Sequence, residues 1–448
     1  MRFNSLLLSC VLLPVVACSP PIEEPNVVLI LIDTLRADKL SSYGSPFDSS
    51  PALTRLVEDG VQFDSVLAQA SWTLPSASSL LTSQYPRTLG IYGVDSGRIP
   101  DRFPTLAEAL RGHGYTTFGT TANPNLNSRS AFDKGFDEYI DSNVVFKAAA
   151  LEDGDGKVMY KDAKLHTAPE LFDKALRFIH ATDNRGPYFL QINVMEVHEH
   201  RYQKMLRKEF AKGFEESATT RYLQLIHQVT SDIEVFVGQL RDLEDWKDTL
   251  FVITSDHGEG LDDHPLVEGS DAHGRQLYDS QLFVPLLMFN DAWTFGPRRI
   301  AQRVRLLDLV PTILDLVDAP ALTGVEGVSL VPLMTGEVES LELPDVLVTE
   351  THFRGADKLS IHGPDWQYIH NRDRAGQPDE HELQRQGETA NGNATDKAAD
   401  EPSEMRRLQL LLEEWEEGHP GNPSTPNFTK LSETEEQQLE DVGYIGED

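Results

Sequence analysis

The segment NVVLILID, residues 26–33, decides the fold of this chain. It begins at Asn26, and the next six residues are all apolar. A continuous apolar run of this length is typical of a strand that is buried on both faces of a parallel sheet. The acid that follows the run, Asp33, is therefore expected at the carboxyl end of that strand.

Similar apolar runs recur along the chain and alternate with helical patterns. Proline or glycine marks the point where several of these helices start or end. Strands that alternate with helices predict a mainly parallel, doubly wound α/β sheet. The further predicted strands are residues 188–195, 250–256 and 283–289, and the predicted helices are residues 50–60, 105–114 and 222–243.

The chain is predicted to have a main α/β domain at residues 26–336 and a smaller C-terminal α+β subdomain with a tail at residues 337–448. The second region is more acidic and less periodic than the first. Within it, residues 346–349 and 366–370 look like strands, residues 376–402 like a polar loop and residues 404–417 like a helix.

The first 18 residues are predicted to be an export signal. Arg2 precedes an apolar run, residues 6–17, that is too short to span a bilayer permanently. The run ends in VVAC, which resembles a bacterial lipobox. Residues 1–18 would then be a lipoprotein signal peptide, with Cys18 as the lipid-bearing first residue of the mature protein. An ordinary secretory signal that is cleaved nearby is the alternative.

Residues 19–25 are predicted to be a short tether between the lipid and the folded domain. They are rich in Pro and Glu. Ser19, rather than Asp, follows the lipid-bearing Cys18, and this resembles the outer-membrane address of such lipoproteins. The sequence therefore predicts an exported protein that is anchored in the bacterial envelope through its lipid, in the outer membrane.

The chain has 448 residues and a formal net charge of −33, from 39 Lys and Arg against 72 Asp and Glu. Nucleic-acid surfaces need clustered Lys and Arg, so no nucleic-acid partner is expected. An anionic substrate must then be attracted locally, by a metal ion or by a helix N-terminus. The only cysteines are Cys10 and Cys18, so processing leaves no thiol for a disulfide, a metal site or a nucleophile.

Three of the predicted strands end in or just before residues that can bind a metal or move a proton. Asp33 follows the first strand, His198 follows the second, and Asp256 and His257 end the third. In open α/β sheets, ligands bind beyond the carboxyl ends of the strands. These side chains are therefore expected to converge on one site.

Thr73 supplies a hydroxyl for the same chemistry. It lies in SWTLPSASSLLTSQYPRTLG, where Pro75 is well placed as the first residue of a helix. The hydroxyl would then sit at a helix N-terminus, where free N–H groups favour an anion. Metal-assisted displacement at phosphorus or sulfur needs such a hydroxyl together with carboxylate or imidazole ligands, which the strand ends supply.

Four motifs resemble the sulfatase family in their order and spacing. They are NVVLILIDTLRADKLSSYG at residues 26–44, SWTLPSASSLLTSQYPRTLG at 71–90, SDHGEG at 255–260 and LLDLVPTILDL at 306–316. Four such motifs in order are far more specific than one. The resemblance implies an alkaline-phosphatase-like sheet and makes residues 26–336 a sulfatase-like catalytic domain.

The family resemblance also implies roles for single residues. Asp33, Asp256 and His257 would hold a divalent metal ion, together with Thr73. Thr73 would stand at the position of the Cys or Ser that sulfatases oxidise to formylglycine, and would act as the nucleophile.

Two histidines and one asparagine complete the implied site. His198, in MEVHEHRY, and His273, in DAHGRQLY, would stabilise the transferred group or assist the leaving oxygen. The Lys-x-His segment of arylsulfatases is replaced here by TANPN, which leaves Asn123 as a neutral hydrogen-bond donor. The implied partner is an anionic small molecule or a glycan ester.

Departures from the family pattern change the expected chemistry. Ala77 stands in place of the activating Arg, Thr34 in place of the second acid of the paired Asp, and Leu89 in place of a histidine. Thr73 cannot become formylglycine. Formylglycine hydrate releases sulfate by breaking its own C–O bond, whereas a threonine ester must be opened by water at the central atom. We therefore expect hydrolysis of sulfuric or phosphoric esters, with phosphate or phosphonate esters reacting faster than matched sulfates.

The metal is expected to be Mn, Zn or Fe rather than Ca. An imidazole ligand at His257 makes the site borderline instead of purely hard. A second ion could use Glu196, His200 and His273, because Glu-x-x-x-His resembles the second metal site of the phosphodiesterase branch. One or two ions are therefore expected.

Two other functions are compatible with the same motifs. One is a transferase of the cell envelope that passes a phospho-headgroup to a lipid or glycan. The other is a non-catalytic sulfatase-like protein that binds glycans, since Thr34, Ala77 and Leu89 replace family residues. The intact metal ligands and Thr73 count against the second.

The lipid anchor leads to a first prediction. Cys18→Ala should move the protein from the membrane fraction to the soluble envelope fraction, because acylation of Cys18 is the predicted anchor. Fractionation followed by immunoblotting measures the change, and Cys10→Ala is the matched control that should stay with the membrane. Equal membrane partition of the two variants would contradict the anchor.

Overall fold

A computed structural model describes most of the main domain and of the C-terminal subdomain. The predicted signal peptide, the predicted lipidation site at Cys18 and most of the predicted tether lie outside the described residues. So does the chain after residue 421. The described residues are 24–92, 97–142, 150–152, 158–160, 166–182, 187–201, 206–210, 217–243, 246, 248–261, 263–264, 272–293, 295–344, 346–353, 356–372, 379–386 and 396–421.

The described strands form one large sheet, one four-stranded sheet and one two-stranded ribbon. The strands are β1 (Asn26–Ile32), β2 (Val61–Leu67), β3 (Thr116–Thr121), β4 (Glu138–Ile140), β5 (Ala150–Glu152), β6 (Val158–Tyr160), β7 (Tyr188–Val194), β8 (Thr249–Thr254), β9 (Phe283–Phe289), β10 (Arg298–Ile300), β11 (Val304–Arg305), β12 (Leu347–Thr351), β13 (Lys358–His362), β14 (Trp366–Asn371) and β15 (Glu380–Arg385).

The large sheet has the strand order β10-β2-β9-β8-β1-β7-β3-β4, and β11 also pairs with β2. The segment that begins at Asn26 is β1, and all seven of its residues are buried, as a strand covered on both faces requires. β1 runs parallel to both of its neighbours, β7 and β8. The mainly parallel α/β sheet that the sequence predicts is therefore confirmed, with β9 antiparallel to β8 and β2.

Six of the described helices form two groups, and helices within each group pack on one another. One contains α1, α5 and α6, where the rings of Phe172 and Phe236 stack with centroids 4.4 Å apart. The other contains α2, α4 and α8. The helices are α1 (Pro51–Leu56), α2 (Thr73–Thr82), α3 (Pro86–Leu89), α4 (Leu106–Gly112), α5 (Ala168–Ala181), α6 (Ala218–Arg241), α7 (Asp279–Leu282), α8 (Leu309–Leu316), α9 (Val331–Thr335) and α10 (Pro402–Gly418).

The parallel register of the central strands aligns their carboxyl ends. Ile32 of β1 lies opposite Val194 of β7, and Leu31 lies opposite Thr254 of β8. The backbone N–H of Asp33 extends the pairing by donating to the Val194 carbonyl over 2.9 Å. The residues that follow β1, β7 and β8 therefore leave the sheet at the same edge.

The second sheet has the antiparallel order β12-β13-β14-β15, and α10 covers one of its faces. Leu408 and Leu412 of α10 share an apolar cluster with Tyr368 and Leu383 of the sheet. The large sheet ends at Arg305 and the small sheet begins at Leu347, on either side of the predicted boundary at residues 336 and 337. The boundary position itself stays a prediction.

A short backbone contact joins the small sheet to the segment between β2 and α2. The backbone N–H of Glu350, in β12, donates to the carbonyl of Gln69 over 3.0 Å, and Ala70 forms a parallel bridge with Glu350. The contact brings Phe353 against Trp72, with ring centroids 5.2 Å apart. The C-terminal subdomain therefore lies beside the start of α2.

Several element boundaries differ from the sequence prediction. The first helix ends at Leu56 rather than near Gly60, whose N–H donates to the Val57 carbonyl in a turn. Residues 376–402 were expected to be a loop, but they contain β15, because pairing with β14 satisfies its backbone and Leu383 is buried.

Among the described helices, none is long and apolar enough to cross a membrane.

Burial of β1 leads to a stability prediction. Ile30→Ala should lower the free energy of unfolding by about 2–5 kcal/mol, because Ile30 is fully buried and a cavity would remain. Urea unfolding followed by tryptophan fluorescence measures the loss. Val235→Ala, on an exposed part of α6, is the control and should change stability by less than about 0.5 kcal/mol. Equal midpoints for both variants would contradict the central role of β1.

Candidate active site

The carboxyl edge of the central strands holds a buried group of two acids and one histidine. Asp33 follows β1, and Asp256 and His257 follow β8. None of the three side chains is more than 1% exposed. Among the described residues, this is the group of at least three potential ligands whose atoms all lie within 4.8 Å of one another.

The distances in this group suit a single metal ion. His257 Nε2 lies 3.5 Å from Asp256 Oδ2 and 3.8 Å from Asp33 Oδ1. Ligand atoms that sit about 2.0–2.2 Å from one ion are separated from each other by distances of this size. Three protein ligands of the carboxylate and imidazole type are also the usual number at a catalytic site, where one position stays open.

His257 is oriented by a backbone carbonyl. Its Nδ1 lies 2.9 Å from the carbonyl oxygen of Gly258, so Nδ1 carries the hydrogen and donates it. The lone pair of the neutral ring is then on Nε2, the nitrogen that faces the two acids. A metal-binding histidine is normally held in this way by a hydrogen bond from its other nitrogen.

Two carboxylate oxygens in the group have no hydrogen-bond partner although they are fully buried: Asp33 Oδ1 and Asp256 Oδ2. Burial and the nearby charge of Asp256 raise the pKa of Asp33 to about 7. Buried anions of like charge are costly unless a cation neutralises them. The orphaned oxygens and the Nε2 lone pair together fit a divalent cation.

Thr73 lies at the edge of this group, as the first residue of α2. Its hydroxyl is fully buried and lies 3.2 Å from His257 Nε2. The sequence places Pro75 as the first helical residue, whereas the helix begins two residues earlier, at Thr73 itself. The hydroxyl is therefore at the positive end of the helix dipole, where a developing negative charge is favoured.

Asn123 connects Thr73 to the acids. Its Nδ2 donates to Asp33 Oδ2 and lies 3.4 Å from the Thr73 hydroxyl. The side-chain amide of Asn123 is held in this orientation, because its Oδ1 accepts a 2.8 Å hydrogen bond from the backbone N–H of Asn125. Asn123 therefore donates to Asp33 and lies beside Thr73.

Thr34, which the resemblance places where the family has a second acid, makes hydrogen bonds within the turn that follows β1. Its hydroxyl donates to the Asp33 carbonyl over 2.7 Å, and its N–H lies 3.4 Å from Asp256 Oδ1. Its φ of 60° is in the left-handed region, which a β-branched residue rarely adopts. The phenol of Tyr222 donates to the Thr34 carbonyl over 2.6 Å and stabilises this strained turn.

The histidines predicted from the family pattern lie together on one side of the metal group. The ring of His273 lies 4.6 Å from that of His257 and 5.1 Å from that of His198, measured between centroids. His198 Nδ1 contacts Glu199 Oε1 at 2.9 Å, and His273 Nδ1 contacts Glu259 Oε2 at 3.2 Å. Each of these two imidazoles is thus paired with its own carboxylate.

The two imidazoles differ in charge. Burial opposes protonation of His198, but its hydrogen bond to Glu199 and the charge of Asp33 raise its pKa to about 9. Burial lowers the pKa of His273 to about 4 in spite of Glu259. Near neutral pH, His198 is therefore cationic and can face an anion, whereas His273 is neutral and can exchange a proton.

Glu196 does not join the cluster in the way that the second-ion hypothesis requires. Its Oε1 accepts a 2.6 Å hydrogen bond from the backbone N–H of Ala168, at the start of α5. His200 is buried nearby, but its Nδ1 donates to the His198 carbonyl over 3.1 Å. Helix capping and a local turn thus engage these two side chains, and in the described part of the chain one ion-binding group is assembled.

Glu259 is a member of the site that the sequence reasoning missed. It is 2% exposed, and its carboxylate contacts His273 and accepts a hydrogen bond from the N–H of Gly260 over 2.9 Å. Burial would raise the pKa of Glu259, but the electrostatic interaction and hydrogen bond with His273 hold it below its usual range. The signal was present in SDHGEG, where Glu259 stands two residues after His257.

Comparison with known proteins identifies the family of this chain. The family model described as Sulfatase matches residues 25–319. N-acetylgalactosamine-6-sulfatase from Sus scrofa is 26% identical over 354 residues, which cover 70% of this chain and 66% of that protein. The match therefore spans slightly less than two thirds of the relative's length.

Solved structures share the fold at low sequence identity. The phosphonate monoester hydrolase from Silicibacter pomeroyi has a TM-score of 0.66 at 19% identity, over 90% of this chain and all of that chain. A protein solved with its substrate D-glucosamine-2-N,6-O-disulfate has a TM-score of 0.68 at 16% identity, over 91% of this chain and all of that chain. Since the family model covers more than half of the sequence, the chain belongs to the sulfatase family.

Proposed function

We propose that the protein is a metal-dependent hydrolase of sulfuric or phosphoric esters, phosphonate esters included, with Thr73 as the nucleophile in place of formylglycine. One observation carries the proposal. The Thr73 hydroxyl lies 3.2 Å from His257 Nε2, beside two buried carboxylate oxygens without a hydrogen-bond partner. The hydroxyl thus adjoins Asp33, Asp256 and His257, the one group of three potential metal ligands found among the described residues.

The divalent ion would be held by Asp33, Asp256 and His257, with the Thr73 oxygen beside it. When bound, such an ion lowers the pKa of a neighbouring hydroxyl and neutralises charge on the transferred group. One imidazole and two carboxylates favour Mn, Zn or Fe over Ca, which prefers six to eight oxygen ligands. The position of Glu196 supports one ion rather than two.

Four side chains of the protein have separate roles in the proposed reaction. Thr73 Oγ1 attacks the central atom, forming a bond to phosphorus or sulfur while the bond to the ester oxygen breaks. Asn123 Nδ2 donates towards this hydroxyl and so stabilises charge on its oxygen. His198, as a cation, faces the anionic oxygens. His273, which is neutral, takes up at Nε2 the proton that the Thr73 hydroxyl releases and passes it to the oxygen of the departing alcohol.

The second half of the reaction decides which esters are favoured. The Thr73 ester is opened when water attacks the same central atom, which restores the hydroxyl and releases phosphate or sulfate. Formylglycine would instead release sulfate by breaking its own C–O bond, and this reaction is not open to threonine. Phosphate and phosphonate esters are therefore proposed as better substrates than matched sulfates.

An anionic ester on a small molecule or a glycan is the proposed substrate class. The relative from Sus scrofa is named for a sulfated sugar, and one structural neighbour binds a glucosamine disulfate. A net charge of −33 would repel such a substrate over most of the surface, so attraction must come from the ion and the imidazoles. Anchoring in the envelope through Cys18 would place the enzyme among such substrates.

The metal site can be tested by elemental analysis. Asp256→Ala should lose its bound divalent metal, because Asp256 supplies one of the two orphaned oxygens. Asp256→Asn should also lose it, while keeping an oxygen for the N–H of His257. The control is Glu234→Gln, which removes the same charge from Glu234, a half-buried residue of α6 that pairs with Arg55. Full occupancy in both Asp256 variants would contradict the assignment.

The nucleophile can be tested with two variants of one residue. Thr73→Val keeps the shape but removes the hydroxyl, so turnover should fall by about 10³-fold or more, whereas Thr73→Ser should retain measurable turnover. Steady-state rates on paired phosphate, phosphonate and sulfate esters provide the measurement. Wild-type rates in the Val variant would mean that water attacks directly. A clear preference of the wild type for sulfates would contradict the argument from the missing formylglycine.

A further inference from the structure

Glu259 and His273 form a pair whose role is not explained by the metal site. The Glu259 carboxylate is buried, and its Oε2 lies 3.2 Å from His273 Nδ1. The His273 ring in turn lies 4.6 Å from the ring of His257. Glu259 therefore reaches the reacting centre through His273 rather than directly.

We propose that Glu259 is a positioning residue that selects the tautomer of His273 and thereby presents Nε2 to the reacting group. The proposal rests on the function proposed above. An ionised carboxylate can only accept hydrogen bonds, so the nitrogen that faces it must carry the hydrogen. With Nδ1 held in this way, Nε2 is the nitrogen through which His273 exchanges a proton with the substrate.

The orientation of Glu259 is itself determined by its surroundings. Its Oε1 accepts from the N–H of Gly260 over 2.9 Å, which leaves Oε2 towards His273. Its backbone is also held at both ends, since its N–H donates to the Ser280 carbonyl over 3.0 Å and its carbonyl accepts from Arg36 over 3.0 Å. The carboxylate is therefore preorganised before any substrate binds.

The same cluster contains a second acid and imidazole pair that provides an internal comparison. Glu199 Oε1 lies 2.9 Å from His198 Nδ1, and both side chains are at most 8% exposed. Glu199 and Glu259 carry the same charge and lie in the same cluster, but each contacts a different ring. A change at Glu259 that acts through its hydrogen bond should alter His273, and a change at Glu199 should not.

Glu259→Gln tests the hydrogen bond to His273 without changing the volume of the side chain. The amide oxygen should stay on the N–H of Gly260, so the amide NH₂ turns towards His273. A donor in this position requires Nδ1 to accept, which moves the ring hydrogen to Nε2. The substitution therefore reverses the tautomer while it keeps the size of the side chain.

The tautomer can be read by ¹⁵N NMR of the full-length protein with labelled histidine. The wild type should show His273 with its hydrogen on Nδ1, and Glu259→Gln should shift it to Nε2. The control Glu199→Gln should leave the His273 signals unchanged, and His273→Asn assigns them by their loss. An unchanged His273 pattern in Glu259→Gln would overturn the proposal, whatever the enzyme's substrate proves to be.

Kinetics test whether the tautomer matters for the reaction. With a phosphate diester as probe, Glu259→Gln should lower kcat by roughly 10- to 100-fold, with metal content and Tm unchanged and KM little altered. In a His273→Asn background, the same substitution should cost almost nothing further, because Glu259 acts through that ring. A full second loss in this background, or wild-type kcat in Glu259→Gln, would overturn the positioning role.

The two proposals can fail separately. If the wild type hydrolyses no ester while the tautomer reverses as described, the proposed function is wrong and the pairing of Glu259 with His273 stands as a structural fact. If esters are hydrolysed and the tautomer does not reverse, the positioning role is wrong and the hydrolase remains.

Discussion

The site depends on one constraint: two acidic side chains are buried next to each other. Asp33 and Asp256 follow neighbouring parallel strands, β1 and β8, so the register of the sheet brings their carboxylates together. Each has one oxygen without a hydrogen-bond partner, and such a pair is costly to bury without a cation. The lone pair of His257 and the hydroxyl of Thr73 converge on the same space. A divalent ion is the ligand that relieves this arrangement.

The other buried polar side chains of the site are held in defined orientations by hydrogen bonds. Backbone groups orient His257 through Nδ1 and Asn123 through Oδ1, while carboxylates orient His198 and His273. Each orienting contact is short range and local in sequence, except for the one between Glu259 and His273. The fold therefore places the reactive groups, and nearby hydrogen bonds decide which atom each group presents.

The C-terminal subdomain takes part in the architecture of the site through its contact with the large sheet. The hydrogen bond from Glu350 to Gln69 joins β12 to the strand that leads into α2, and Phe353 then packs on Trp72, the residue before Thr73. Sequence patterns predicted strands in this region, yet β15 was taken for a loop. Its sequence EHELQR is polar except for Leu383, and pairing with β14 could not be read from composition.

The sequence by itself determined the central strand, the mainly parallel sheet and the convergence of Asp33, Asp256 and His257 at one edge of the sheet. The reason is that a continuous apolar run ending in an acid has few other interpretations, and that parallel strands must end at one edge. Only the tertiary structure decided the partners of the histidines. Glu196 Oε1 accepts a hydrogen bond from the start of α5, and Glu259 pairs with a ring fourteen residues away. Such pairings depend on how the loops fold over the sheet, which spacing along the chain does not specify.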